Sequence, residues 1–163
     1  MITTRYRLLP LILAASLLCG AVVAISRGVA LGDARWTNLG NGILRDASTG
    51  LEWTSDDNGS DVDWNDAKTY CDGWRKGWRL PSLQELEAIF DPAERGSRCA
   101  QTLCKVSSQF NLTGTWFWSA TQVGNDSTDG SELAWGVLMV NGAQTQAVRD
   151  ASFGSRTLCV RGH

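Results

Sequence analysis

The stretch Gly77-Trp78-Arg79-Leu80-Pro81-Ser82-Leu83-Gln84-Glu85-Leu86 constrains this chain more than any other. Ser82 can cap a helix, and Glu85, three residues on, can reach back to the Ser82 N–H in the reciprocal arrangement of a capping box. Pro81 stands just outside the cap and Leu86 at the fourth helical position, so the two can pack as a staple. Leu83, Leu86, Ile89 and Phe90 then recur at helical spacing, and Asp91-Pro92 stops the run. A second helix start lies upstream. There Asp63 caps, and Trp64, Ala67, Tyr70 and Cys71 share a face.

The flanks read as strands. Short β segments are predicted at 36–39 and 43–45, joined by the Gly40-Asn41-Gly42 hairpin, and at 51–54 after the turn Asp46-Ala47-Ser48-Thr49-Gly50. Residues 93–115 read as a long, partly irregular loop. A second β region opens at Trp116-Phe117-Trp118-Ser119. The nearly continuous apolar run 133–140 predicts a central strand, the Asn141-Gly142 hairpin returns the chain along 143–148, and a last strand is expected at 157–161. Strands, two helices, a loop and more strands make an α+β order by segregation.

The first 24 residues read as a secretory signal. Arg5 and Arg7 form its basic head, an apolar run follows, and Val22-Val23-Ala24 ends it in small residues. Residues 25–34 then form a flexible leader, and 35–163 the domain. This points to a secreted or periplasmic protein with no span left after cleavage. A membrane anchor or a lipoprotein modified at Cys19 is the less favoured alternative. Without Arg5 and Arg7 the chain has 13 basic against 17 acidic residues, a net charge of −4, which argues against nucleic acid and anionic lipid surfaces. Four cysteines remain after Cys19, an even number that implies disulfides in an exported chain. Three pairings are possible. Cys99 and Cys104 are near enough to close a local loop, which leaves Cys71 with Cys159.

Six blocks carry a resemblance. They are Gly40-Asn41-Gly42 to Asp46 with Thr49-Gly50-Leu51-Glu52-Trp53; Trp64-Asn65-Asp66-Ala67 with Tyr70-Cys71; Trp78-Arg79-Leu80-Pro81 with Glu85-Leu86; Phe117-Trp118-Ser119-Ala120-Thr121; Ala134-Trp135 with Asn141-Gly142; and Cys159-Val160-Arg161-Gly162. In this order the chain resembles the Lcl C-terminal domain family, named for a bacterial collagen-like adhesin. The resemblance implies a C-type-lectin-like fold, similar also to the formylglycine-generating-enzyme group. Two helices pack there on a twisted antiparallel sheet, with the N- and C-terminal strands adjacent and a Cys71–Cys159 bridge. Two features depart from the family. Leu158 stands where an Arg is usual, and the Cys99–Cys104 loop looks like an insertion.

Candidate chemistry is sparse. The single histidine is His163, which removes Ser-His and Cys-His nucleophilic systems, and no zinc hydrolase motif occurs. The chain therefore reads as a non-enzyme with no cofactor. Calcium is the exception to consider, held by the hard oxygens of Asp56, Asp57 and Asp61 or of Asp126 and Asp129. The bland reading is a solvated loop. Eight tryptophans invite a sugar platform. Trp36, Trp74 and Trp116 are the freer ones, and Trp74 and Trp116 are the candidates, with Arg75 and Arg79 beside them for an anionic group. By analogy with the family, the expected function is non-catalytic recognition of a glycan or a surface protein at the cell exterior. A structural component of the envelope without a small ligand is one alternative. An oxidoreductase of the formylglycine-generating kind, which needs free thiols, is the other. The sequence does not specify an oligomeric state.

Overall fold

The computed structural model describes residues 35–124 and 132–162. The signal and leader segments, Asp126, Asp129 and His163 lie outside them. In chain order the elements are β1 (Trp36–Gly40), β2 (Ile43–Asp46), β3 (Glu52–Thr54), α1 (Trp64–Trp74), α2 (Leu83–Ile89), β4 (Ser97–Cys99), β5 (Thr102–Cys104), β6 (Trp116–Gln122), β7 (Leu133–Leu138), β8 (Ala143–Val148), β9 (Ser155–Arg156) and β10 (Val160–Arg161). The fold is α+β, with two helices packed on antiparallel sheets and two disulfides. Among the described residues no helix is long and apolar enough to cross a membrane.

One sheet runs β1-β2-β3-β10 and the other β8-β7-β6-β9. The first hairpin turns through Gly40, Asn41 and Gly42, all at positive φ, as its composition requires. Both helices start as their sequences dictate. Asp63 accepts from the Asp66 N–H at 2.8 Å, and the capping box of α2 is complete, with Glu85 N–H on Ser82 Oγ and Ser82 N–H on Glu85 Oε2. Pro81 and Leu86 are both buried beside it.

The two helices lie on opposite faces of the second sheet. Phe117 and Val137 join Leu83, Leu86 and Ile89 of α2 in one core, while Trp118 and Ala134 join Trp64, Ala67 and Cys71 of α1 in the other. The alternation of a strand produces this division. β6 carries large residues on both faces because both are covered. The Cys71–Cys159 bridge lies in the α1 core, and Cys99–Cys104 closes the small β4–β5 hairpin.

Four expectations are corrected. The 93–115 loop contains that hairpin, which the short apolar content of its arms had concealed. The last strand is divided: Ser155–Arg156 pairs in parallel with β6, whereas Val160–Arg161 pairs with β3. Between them Thr157, Leu158 and Cys159, all fully buried, carry the chain from one sheet to the other. The N- and C-terminal strands share a sheet but stand at its opposite edges. Trp36 is a core residue, 5% exposed and edge-on to Phe110, so it is not available to a ligand.

Candidate functional site

The side of α1 next to its buried stripe carries Trp64, Lys68 and Asp72, each one turn beyond the last. Residues four apart stack along one line of a helix. Facing them are Arg79 and Leu80, which lead into α2, and Ala120 and Gln122 near the end of β6. Together they line an open cleft of about 290 Å³. A bulge in β6 shapes it, because the register against β7 shifts between Trp118 and Gln122. Bulges re-aim side chains in this way. The bulged segment is fixed by the Ala120 N–H donating to the Pro81 carbonyl at 2.6 Å.

Three polar groups of the cleft, Lys68, Asp72 and Arg79, are ion-paired. Lys68 Nζ donates to Asp72 Oδ2 at 2.7 Å. Arg79 grips Glu85 with both terminal nitrogens, at 2.8 and 2.7 Å. That fork hydrogen bond holds the Glu85 carboxyl below the usual range against the opposing effect of burial, and it raises Arg79. Trp64 donates its indole N–H to the Ser119 carbonyl at 2.8 Å and carries the Arg149 guanidinium 4.0 Å from its ring centre. It is 5% exposed. The apolar lining of the cleft is the buried Leu80 and the exposed Ala120. Donors and acceptors beside an apolar lining suit a neutral, hydroxyl-rich ligand.

Of the four ligand candidates read from the sequence, only Arg79 lines this cleft. Trp74 and Trp116 flank the same core cluster but touch different parts of it. Trp74 packs edge-on against Trp78 at 4.5 Å, under the guanidinium of Arg75. Trp116 packs edge-on against Trp118 at 4.5 Å and donates to Thr145 Oγ1 at 2.7 Å. Lys68, Asp72 and Gln122 escaped the sequence reading. The four-residue spacing from Trp64 was visible, but their convergence with β6 depends on how the helix crosses the sheet.

The acidic loop is not gathered into a cluster. Among the described residues no three acids, histidines or cysteines meet closely enough to hold a metal. Asp57 is buried and accepts from the N–H groups of Gly59, Thr113 and Gly114 and from the Thr113 hydroxyl. Asp56 accepts from Asn111 at 2.7 Å and from Ser55 at 2.6 Å. Asp61 accepts from the Gly154 N–H at 3.0 Å and from Arg156, and these bonds hold its carboxyl low. These oxygens face donors of the chain itself. Asp126 and Asp129 lie outside the described residues.

Other carboxyls are also held low. Burial raises Asp46, but hydrogen bonds from Arg35 and Ser48 outweigh it and bring the group to about 2. Burial raises Glu52 as well, and hydrogen bonds from Arg45 and Arg161 reverse the shift. The four cysteines among the described residues are joined in two bridges, whereas an oxidase of the formylglycine-generating kind needs free thiols.

Comparison with family models matches residues 42–161 to the Lcl C-terminal domain. No curated protein matches the chain. Among solved structures it is similar to EMS16, described as an antagonist of collagen receptor integrin alpha2beta1, at 14% identity and a TM-score of 0.44, with 78% of this chain and 96% of that one covered. It is similar to botrocetin at 11% identity and a TM-score of 0.44, over 78% of this chain and 96% of that one. It is similar to the snake venom toxin convulxin at 12% identity and a TM-score of 0.41, over 80% and 97%.

Proposed function

The chain belongs to the Lcl C-terminal domain family, and from that premise we propose that it is an exported, non-catalytic recognition domain. It binds a glycan outside the cytoplasm, in the cleft between α1 and the end of β6. The observation that carries this reading is the composition of the cleft: the Lys68–Asp72 pair, the Arg79 guanidinium and the Gln122 amide line it together with Leu80 and Ala120. A sugar ring presents hydroxyls that both donate and accept, together with a small apolar face, and this lining answers both. Export is supported by the two disulfides, which persist in oxidising compartments.

The test is a glycan array probed with the oxidised protein, in calcium and in chelator and at two salt concentrations. Binding to a defined class of neutral sugar is expected. Asp72→Ala and Gln122→Ala, both at exposed positions, should each weaken it by about tenfold or more. A blank array on folded protein overturns the glycan reading in favour of a surface protein. Binding that these variants leave unchanged overturns the cleft as its site.

A further inference from the structure

Exposed sheet edges invite pairing, and proteins blunt them with charges, proline, bulges or very short strands. Three of the four edges of the two large sheets are blunted here. β1 carries a bulge between Asn38 and Gly40, while β9 and β10 are two residues long, the latter bridged by Arg79 at Val160. The fourth edge, β8, is different. It is six residues long, pairs with β7 in unbroken register, is mostly exposed, and contains no charge and no proline.

The direction in which its backbone points can be worked out. The N–H of Met139 donates to the Thr115 carbonyl and that of Val123 to the Leu133 carbonyl, so the odd-numbered residues of β7 bond toward β6. Its even-numbered residues therefore bond toward β8, where their partners are Ala143, Thr145 and Ala147. The Arg149 N–H on the Glu132 carbonyl continues the pattern. Gln144 and Gln146 consequently direct their N–H and C=O groups outward. Among the described residues no other backbone or side chain takes them up.

The sequence of this edge reads the same in both directions about Thr145: Ala143-Gln144-Thr145-Gln146-Ala147. We propose that β8 pairs with β8 of a second copy, antiparallel, about a two-fold axis at Thr145. Gln144 then faces the partner's Gln146 in two hydrogen-bonded pairs, one on each side of the axis. Thr145 faces its own copy in the closer, non-hydrogen-bonded pair, and Ala143 faces the partner's Ala147. An axis at Gln146 also has the right backbone parity, but it sets Gln144 against Val148 and Thr145 against Ala147, so like residues no longer meet. The pairing makes one eight-stranded sheet. Its axis is perpendicular to the sheet, so both copies of α1, and hence both clefts, lie on the same face.

Sedimentation of the oxidised protein over a concentration series tests this. Wild-type protein is expected to pass from monomer to dimer as concentration rises. Gln144→Lys with Gln146→Lys sets like charges opposite each other on both sides of the axis and should raise the dissociation constant about tenfold or more. Gln144→Lys with Gln146→Glu sets opposite charges there and should retain the dimer. Amide exchange on wild-type protein gives an independent reading, since the Gln144 and Gln146 N–H groups should become protected only at high concentration. A monomer at every concentration, with both amides exchanging freely, overturns the proposal and leaves the edge to an extended segment of another protein. Equal dimerisation of the Lys/Lys variant overturns it too.

Discussion

Replacing Asp57 with alanine is expected to destabilise the domain by about 2 kcal/mol. The carboxylate is 7% exposed and gathers four donors: Thr113 N–H at 2.6 Å, Thr113 Oγ1 at 2.8 Å, Gly59 N–H at 2.9 Å and Gly114 N–H at 3.2 Å. Gly59 stands in open space, so water can replace the carboxylate there, and the Thr113 hydroxyl can rotate. Thr113 is exposed, so water can reach its amide as well, whereas the buried Gly114 amide has no second acceptor, and a buried N–H left unpaired costs about 1–3 kcal/mol. One such amide gives about 2 kcal/mol, or a fall of about 8 °C in melting midpoint for a domain of this size. Asp57→Asn keeps one acceptor oxygen and should lose roughly half as much. The assay is thermal and urea unfolding followed by tryptophan fluorescence, in calcium and in chelator. A loss below about 1 kcal/mol for Asp57→Ala refutes the anchoring argument. So does a wild-type midpoint that rises on adding calcium by as much as the substitution lowers it.

The two disulfides should contribute unequally. Their sequence separations of 88 and 5 residues give about 4.6 and about 2 kcal/mol in the chain-entropy treatment. Urea titration of the paired alanine variants reads the order, and equal losses would contradict it. Asp46 titrates at about 2 when folded against an ordinary 3.8. Its contribution of about 2 kcal/mol is thus present above pH 4 and lost as pH falls through 2. The stability gap between wild type and Asp46→Asn should shrink by that amount between pH 6 and pH 2, and a gap independent of pH argues against the Arg35 pairing. Gly136→Ala would drive a methyl into the Trp116 ring and the Phe117 carbonyl. It should cost about 1–3 kcal/mol and shift the tryptophan emission, and unchanged emission would mean that Trp116 does not lie over Gly136.

Features whose partners lie close together in the chain were legible. The capping box needs only Ser82 and Glu85, the first hairpin only Gly40-Asn41-Gly42, and the Cys99–Cys104 bridge only five residues of separation. Features that depend on distant crossings were not. Trp36 looked free because nothing in its own strand shows that Phe110 comes to meet it. The 157–161 strand looked continuous because β propensity does not register a change of sheet. That Asp57 takes donors from Thr113 and Gly114 was not legible in the acids of 56–61, because a carboxylate awaiting a cation and one awaiting distant backbone amides have the same spelling. The cleft was half visible. The line Trp64, Lys68, Asp72 could be read from helical spacing, but Ala120 and Gln122 reach it only through the bulge in β6.

The placement of β10 bears on when the domain can finish folding. Val160 and Arg161 pair with Trp53 and Glu52, and Val160 also bridges to Arg79. β10 therefore completes the sheet that β1 to β3 begin. Contacts of such long sequence separation form late and slowly. Synthesis proceeds from the N-terminus, so β1 to β3 emerge long before the strand that closes their edge exists. Until then the chain lacks both that strand and the cysteine that crosslinks α1. The domain must remain open until Cys159 and β10 have been delivered, which is the condition a polypeptide has to satisfy if it is to be threaded through a narrow channel before it folds.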